Sequence, residues 1–410
     1  MPFKKISAPY IFFAAAVAGM LLSAIQSCAQ NQASLAGYWR GEFTIRENIK
    51  APFNFEIKAD SSVVLINGEE RFETGRFWAK RDSVFIPLDQ FDNELAFRVT
   101  NKGMSGVLRK QDHTGVSTPV TAEKSRERFR KTGEPALNMS GTYEVQFQFE
   151  SGKKEKAVAV FTQEGNKLAG TFLKPSGDTR FLEGIVVGNR FYLSSFIGSS
   201  PGYYEGAVTR EGKISGFQAG TKIKHLFSGK SNSSATLNDP YSVTSVSKGD
   251  STITFNLPDV NGKMVSLQDE KYRNKVVIIA ITGTWCPNCV DEAAFLSPWY
   301  NKNKERGVEI ITIHFERQAD TAFTRKVMNR FRNRFKIEYD QVFGGLSNAD
   351  SVPKVIKGLD SFRSFPTTIF IDKKGKVSKI HAGYTGPATG KFYDEFVEEF
   401  NKEVDRLLSK

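Results

Sequence analysis

Cys286 and Cys289 lie two residues apart in Trp285-Cys286-Pro287-Asn288-Cys289 and are the only cysteines beyond Cys28. Such a pair can cycle between a dithiol and a disulfide, carrying two electrons. The nucleophile in that exchange is a thiolate, and an ordinary thiol with a pKa of about 8.5 is mostly protonated at neutral pH. The flanking elements address this. Val276-Val277-Ile278-Ile279-Ala280-Ile281 has the length and β-branched content of a buried parallel strand, and Ala293 to Lys304 reads as helix. The dithiol therefore falls at a helix N-terminus, where unpaired N–H groups and the positive end of the macrodipole favour a Cys286 anion. Lowering the pKa to about 7 takes roughly 2 kcal/mol. An exposed helix dipole supplies only about 0.3–1 kcal/mol. Hydrogen bonds to Cys286 from the Cys289 thiol and amide are expected to supply the remainder. Pro287 fits the first helical turn, where its missing N–H costs nothing.

A C-x-x-C pair also occurs in zinc sites, but zinc needs two more ligands. The four histidines, His113, His225, His314 and His381, stand singly in the sequence. A redox role is the stronger reading, and neither metal nor cofactor is expected.

The elements that must hold this site belong to a chain of 410 residues with 40% apolar content, enough for two or three cores. Lys4 and Lys5, the apolar run Ile11 to Ile25 and then Ser27-Cys28-Ala29 have the three-part layout of a secretory signal over residues 1–29. Leu22 to Cys28 loosely resembles a bacterial lipobox, so Cys28 is a candidate lipidated first residue and membrane anchor, although Gln26 departs from the strict pattern. Cleavage after Ala29 would leave a soluble periplasmic protein. An uncleaved anchor needs about 18–20 apolar residues, which this run barely reaches. An exported, cell-envelope location follows from either processing route. There the dithiol faces an oxidising compartment, and work as a reductant requires an outside thiol electron donor. The formal net charge of +12 is spread rather than clustered, which argues against nucleic acid as a partner.

From Gly37 to about Gly220 short alternating runs are punctuated by Gly, Asn and Asp, as in Val63-Val64-Leu65-Ile66 before Asn67-Gly68, and read as all-β. Leu35 to Phe43 and Met139 to Phe147 look alike, and Gly106 and Gly216 lie near the ends of the segments they open. This weak tandem repeat predicts β-rich units at 35–120 and 136–229, either two small sandwiches or barrels or the halves of one larger barrel. The charged stretch Thr121 to Pro135 would join them. Gly37-x-Trp39 weakly resembles a lipocalin-like opening, but a Gly-x-aromatic strand start is common. Phe191, Tyr192, Phe196, Tyr203 and Tyr204 read first as sheet core or inter-unit packing and second as a pocket lining.

Residues 230–247, rich in Ser, Asn and Thr, read as a linker. Beyond them strands alternate with helices, the signature of an α/β sheet. The reading places a hairpin at Asn261-Gly262, a strand at Val308 to Phe315 and a helix with Phe323, Val327, Phe331 and Phe335 on one face. Arg325, Lys326, Arg330, Arg332 and Arg334 on its other side are expected to be solvated, with an acidic partner as the alternative. Thr367 to Ile371 reads as a strand and Phe392 to Leu408 as a closing helix.

Residues from about 248 to 410 resemble the thioredoxin superfamily, and within it the TlpA-type thiol-disulfide oxidoreductases. The resemblance rests on Phe255-x-Leu257-Pro258-Asp259, Gly262-Lys263, Ser266-Leu267, Gly283 to Cys289, Glu292 and Ser364-Phe365-Pro366-Thr367-Thr368. It implies an α/β thioredoxin-like domain in which Cys286 attacks a substrate protein's disulfide and Cys289 resolves the mixed disulfide. Pro366 would be the family's cis-proline, with Trp285, Pro287, Phe365 and Pro366 forming the substrate-binding surface. Glu292 would exchange protons with Cys289, because the acid that thioredoxins bury six residues before the first cysteine is here Ala280; a surface helix acid is the alternative. His381 reads as packed rather than catalytic. The uncharged Pro287-Asn288 pair, without the histidine of strong oxidants, points to a reductase. A thiol peroxidase is a second reading, although the threonine that peroxiredoxins place three residues before their cysteine is Gly283 here. A third makes the β region a binding module with a redox appendage.

Overall fold

The computed structural model describes residues 35–237, 241, 244–246 and 251–410. The expected signal segment, Cys28 included, lies outside the described residues.

The first nine strands are β1 (Gly37–Arg46), β2 (Ile49–Ile57), β3 (Ser62–Asn67), β4 (Glu70–Arg76), β5 (Trp78–Lys80), β6 (Ser83–Leu88), β7 (Asn93–Thr100), β8 (Gly103–Lys110) and β9 (Thr118–Lys124). They form one antiparallel sheet in the order β4-β3-β2-β1-β9-β8-β7-β6-β5. Each hairpin pairs with the next, and β9 returns to β1, so the meander curls on itself and is split between β4 and β5. Residues of alternating parity point inward, as the period of two requires: Trp39, Phe43 and Ile45 on β1 meet Phe53, Phe55 and Ile57 on β2.

The next nine are β10 (Gly141–Gln148), β11 (Lys154–Glu164), β12 (Lys167–Lys174), β13 (Gly177–Asp178), β14 (Leu182–Val187), β15 (Arg190–Ser195), β16 (Gly202–Val208), β17 (Lys213–Ala219) and β18 (Lys224–Ser231). Apart from the short β13, every strand pairs with both neighbours, and β18 closes on β10, so this unit is a closed eight-stranded barrel. Its interior holds Tyr143, Phe147, Phe161, Phe172, Phe191, Tyr204 and Phe227. Of the expected architectures, two separate units are observed. Their repeat has a shared detail: Trp39 Nε1 donates to Leu35 O at 2.8 Å, and Tyr143 OH donates to Met139 O at 3.1 Å, each reaching back four residues to anchor the first strand.

β9 carries the first sheet past residue 120, because Val120 and Ala122 face inward between polar neighbours. The stretch Thr121 to Pro135 is thus partly strand, and its Arg128 is buried. Arg128 donates to Asn54 Oδ1 at 3.2 Å and Ser194 O at 3.0 Å and pairs with Glu183 at 3.3 Å, tying the first unit to the second. Tyr192, Phe196 and Tyr203 pack into the first unit's core, whereas Phe191 and Tyr204 belong to the second unit's core, the packing role expected for these aromatics. β18 likewise extends two residues into the span read as linker.

The remainder is an α/β thioredoxin-like domain. The hairpin β19 (Asn256–Pro258) and β20 (Met264–Ser266) turns where expected, with Asp259 Oδ1 accepting the Asn261 and Lys263 amides. The main sheet has the order β23 (Asp340–Leu346), β22 (Val308–Glu316), β21 (Val276–Thr282), β24 (Thr367–Ile371), β25 (Val377–Ala382). The first three are mutually parallel, and β24 and β25 run antiparallel. β21 is buried on both faces: Val276, Ile278 and Ala280 face α1 (Pro287–Asn303) and α4 (Lys391–Leu408), while Val277, Ile279 and Ile281 face the β19–β20 side. α2 (Thr321–Phe335) buries Val327 and Phe331 as its spacing requires. Its basic side is not simply solvated. Arg330 pairs with Asp92 at 2.8 Å, and Arg334 donates to Glu73 O at 3.0 Å and lies 4.2 Å over the Phe72 ring. The first barrel is thus the partner of that face, an arrangement local periodicity cannot reveal. α3 (Val352–Val355) is a single turn. Among the described residues no helix is long and apolar enough to cross a membrane.

Candidate active site

β21 delivers the chain to the site, and α1 begins there. Cys286 is the N-cap residue of α1, its sulfur accepting the Cys289 amide at 3.4 Å, with Pro287 at the first helical position. Both sulfurs are free. Cys286 is 6% exposed and Cys289 fully buried, so an incoming disulfide can meet only Cys286. The Cys286 thiol also lies 3.6 Å from Phe365 O. The Phe365–Pro366 peptide is cis, and the Phe365 ring meets Trp285 edge-on at 5.5 Å. Trp285, Cys286, Phe365 and Pro366 are thus brought together as expected.

Burial pushes the Cys289 thiol well above the ordinary range, and neighbouring Cys286 and Glu292 add to this. Glu292, one turn further into α1, is 3% exposed rather than a surface acid. Burial pushes its carboxyl up to about 8, opposed by the Thr368 hydroxyl, which donates to Glu292 Oε1 at 2.6 Å. An acid whose pKa lies near working pH can both take and return a proton. Ala280 is fully buried in β21. His381 is buried on β25, its Nδ1 3.1 Å from Gly383 O, in a packing role.

Beneath the motif, Thr284 is fixed from both sides. Glu316, buried at the end of β22, accepts the Thr284 amide at 2.9 Å and its hydroxyl at 2.8 Å. Gln90, from the first barrel, donates to Thr284 O at 2.8 Å. The second barrel reaches the motif itself. Asn288 Nδ2 donates to Asp178 O at 3.1 Å, and Arg180 donates to Pro287 O at 2.7 Å and pairs with Asp291 at 2.5 Å and with Glu70. Burial opposes the Arg180 charge, but Asp291 and Glu70 more than offset it, so the guanidinium stays protonated. Asp178 Oδ2 accepts the Gly386 amide at 2.8 Å. The approach is close enough to require glycine: a Cβ on Gly383 would lie 2.8 Å from Gly177 N, at a φ of +79°.

None of Gln90, Asp178, Arg180 or Glu316 was a candidate from sequence. They act across 32 to 208 residues, and no local pattern announces such pairings. Thr368 lies within the Ser364 to Thr368 motif and Asp291 directly precedes Glu292, so only their partners are hidden from the sequence.

The comparisons with known proteins bear on the thioredoxin-like domain. The AhpC/TSA family model matches residues 248–380. The thiol-disulfide oxidoreductase ResA of Halalkalibacterium halodurans is 30% identical over 158 residues, covering 38% of this chain and 78% of that protein. Through this domain the chain belongs to the thioredoxin-superfamily thiol-disulfide oxidoreductases. ResA of Bacillus subtilis is 29% identical over 139 residues, covering 34% of this chain and 69% of that protein. Among solved structures, a thioredoxin-family thiol:disulfide interchange protein from Chlorobium tepidum is 19% identical, covering 40% of this chain and 98% of that one, with a TM-score of 0.29. In this oxidoreductase, then, Cys286 and Cys289 form a C-x-x-C redox pair mounted on a thioredoxin fold and overhung by two β units.

Proposed function

We propose that the chain is a TlpA-type protein disulfide reductase of the cell envelope. The observation that carries this reading is the contrast between the two sulfurs: Cys286 caps a helix and opens to a cleft, whereas Cys289 is sealed beside a buried Glu292. The Cys286 thiolate attacks one sulfur of a substrate disulfide. A mixed disulfide forms, and the other substrate sulfur leaves as a thiolate that takes up a proton. Glu292, in its carboxylate form, accepts the Cys289 proton, directly or through water. The Cys289 thiolate then attacks Cys286 Sγ, giving the Cys286–Cys289 disulfide and releasing the second substrate sulfur as a thiolate. Two electrons have passed to the substrate, and an upstream thiol donor must return them.

The backbone at Phe365 and the Trp285 and Pro287 surfaces would hold the substrate segment beside Cys286. Anchoring through a lipid on Cys28 belongs to the same proposal, as does the domain division at 230–247. The uncharged Pro287-Asn288 pair supports reduction over oxidation.

The direct experiment is a Cys289→Ala trap in the full chain. Envelope proteins joined to Cys286 by mixed disulfides are expected, and they should be released by dithiothreitol. An empty trap, together with rapid consumption of hydrogen peroxide by the unmodified chain, would favour a thiol peroxidase instead.

A further inference from the structure

Cys286 lines a cavity of about 580 Å³ between the β units and the thioredoxin-like domain, together with Asp178, Arg180, Lys222 and Arg317. A second cavity of about 350 Å³ continues it past Trp285 to Lys110, and the two share Ser199, Pro201, Lys222 and Arg317 along their walls. Each is within the roughly 300–1,000 Å³ of ordinary ligand sites. Together they form a trough along which the reactive sulfur is one station.

The trough is electrically lopsided. No carboxylate lines the second cavity. In the first, Glu70 and Asp178 are engaged by Arg180 and by the Gly386 amide. Lys110, Lys222 and Arg317 make no ion pair among the described residues. Lys222 and Arg317 are exposed, and the Arg317 guanidinium lies 5.1 Å over the Trp285 ring, next to the nucleophile. Burial lowers the Lys110 pKa and the nearby Arg317 charge adds to this, while Asp92 and Asp112 oppose it, and the Lys110 ammonium donates to Phe91 O at 3.0 Å, so Lys222 and Arg317 are the freer cations of the trough. Clefts of one sign concentrate opposite charge and raise association rates by about 10–10³-fold.

Building on the reductase reading above, we propose that this trough is the substrate channel and that it selects disulfides in extended polypeptide segments with acidic side chains flanking the cysteine. The acidic flank lies against Arg317, Lys222 and Lys110, while the disulfide rests at Cys286. The β units thereby supply half of the specificity surface: Lys110 belongs to the first barrel, Lys222 to the second and Arg317 to the thioredoxin-like domain.

The test uses the reduced full chain and three oxidised probes at about 50 mM and 500 mM salt. Two are peptides of equal length with one internal disulfide, flanked by Asp/Glu or by Lys. The third is neutral 2-hydroxyethyl disulfide, to which each peptide rate is referred for every variant, so that a general loss of activity cancels. The acidic peptide should react at least tenfold faster than the basic one at low salt, and the gap should narrow at high salt, where screening shortens the reach of charge. In Arg317→Glu with Lys222→Glu the normalised preference should vanish or invert. Equal peptide rates in the unmodified chain, or a preference that survives both substitutions, would overturn the channel while leaving the reductase reading intact. Oxidised glutathione outpacing the acidic peptide would overturn the polypeptide assignment. Failure to reduce any of the probes would remove the reductase reading and the channel with it.

Discussion

Single residues divide the work at this site. Cys286 caps the N-terminus of α1, its sulfur accepting the Cys289 amide, and that sulfur is the one a substrate meets. Cys289 needs a base, and Glu292 is the buried group one turn away. Glu292→Gln should slow resolution by about 10²-fold or more, within the range for general acid–base assistance. Quenched reactions analysed by mass should then show accumulated mixed disulfide, whereas unchanged resolution would exclude Glu292 from the step. In the unmodified chain the resolving rate should rise with pH to a midpoint near 8, and Thr368→Val, which removes the opposing hydroxyl, should move that midpoint upward. The same burial has a stability consequence. Folded Glu292 holds its proton up to about 8 while the unfolded carboxyl loses it near 4.5, so its contribution falls as pH rises through that window. Denaturation midpoints for Glu292→Gln should show a weaker decline between pH 5 and 8 than the unmodified chain. Cys286, Cys289, Glu292 and Pro366 were legible in sequence because their roles are set by spacing along one helix turn or by a short motif.

At the scale of elements, the β12–β14 connection is the decisive device. It packs against the start of α1 and the loop after β25, holding Pro287, Asn288 and Gly386 through Arg180 and Asp178. Arg180 pairs with both Glu70 and Asp291 in that contact, and it is buried. Removing one partner of a buried charge pair typically costs about 3–5 kcal/mol. Arg180→Ala should therefore lower unfolding free energy by about that amount in urea titrations, and hydrogen exchange at the first turn of α1 should quicken. A change below about 1 kcal/mol would mean that the carboxylates find other compensation. The element types themselves were readable: β21 and β22 as unbroken β-branched runs, α2 and α4 as apolar stripes, the hairpin at Asn261-Gly262. Docking was not. Arg330 and Arg334 looked solvated because helix periodicity marks which face is polar but not what that face meets.

Taken whole, the molecule is a redox domain whose active face looks into two β units rather than into open solvent. Cys286 lines the trough between the β units and the thioredoxin-like domain, so a disulfide on an extended segment should react at least 10²-fold faster than one held inside a folded domain, as paired stopped-flow rates would show. Equal rates would imply that the β units move aside. The sequence carried the division between all-β and α/β parts, since the period of alternation changes near residue 250. Barrel closure was hidden, because β10 and β18 pair across 78 to 88 residues, as β1 and β9 do across 77 to 85 in the split first sheet, and each strand alone reads the same in a sandwich. The buried Arg128 between the barrels was hidden for a related reason, as a charged stretch reads as surface until its partners are known.

Whether Cys286 and Cys289 donate electrons to substrate disulfides is decided by the reduction potential of that couple in the full chain, measured by equilibration with glutathione or dithiothreitol buffers. A value near the −270 mV of thioredoxin, or at least below about −200 mV, is expected for a reductant. A value near the −120 mV of strong oxidants would contradict the reductase and make the chain a disulfide donor.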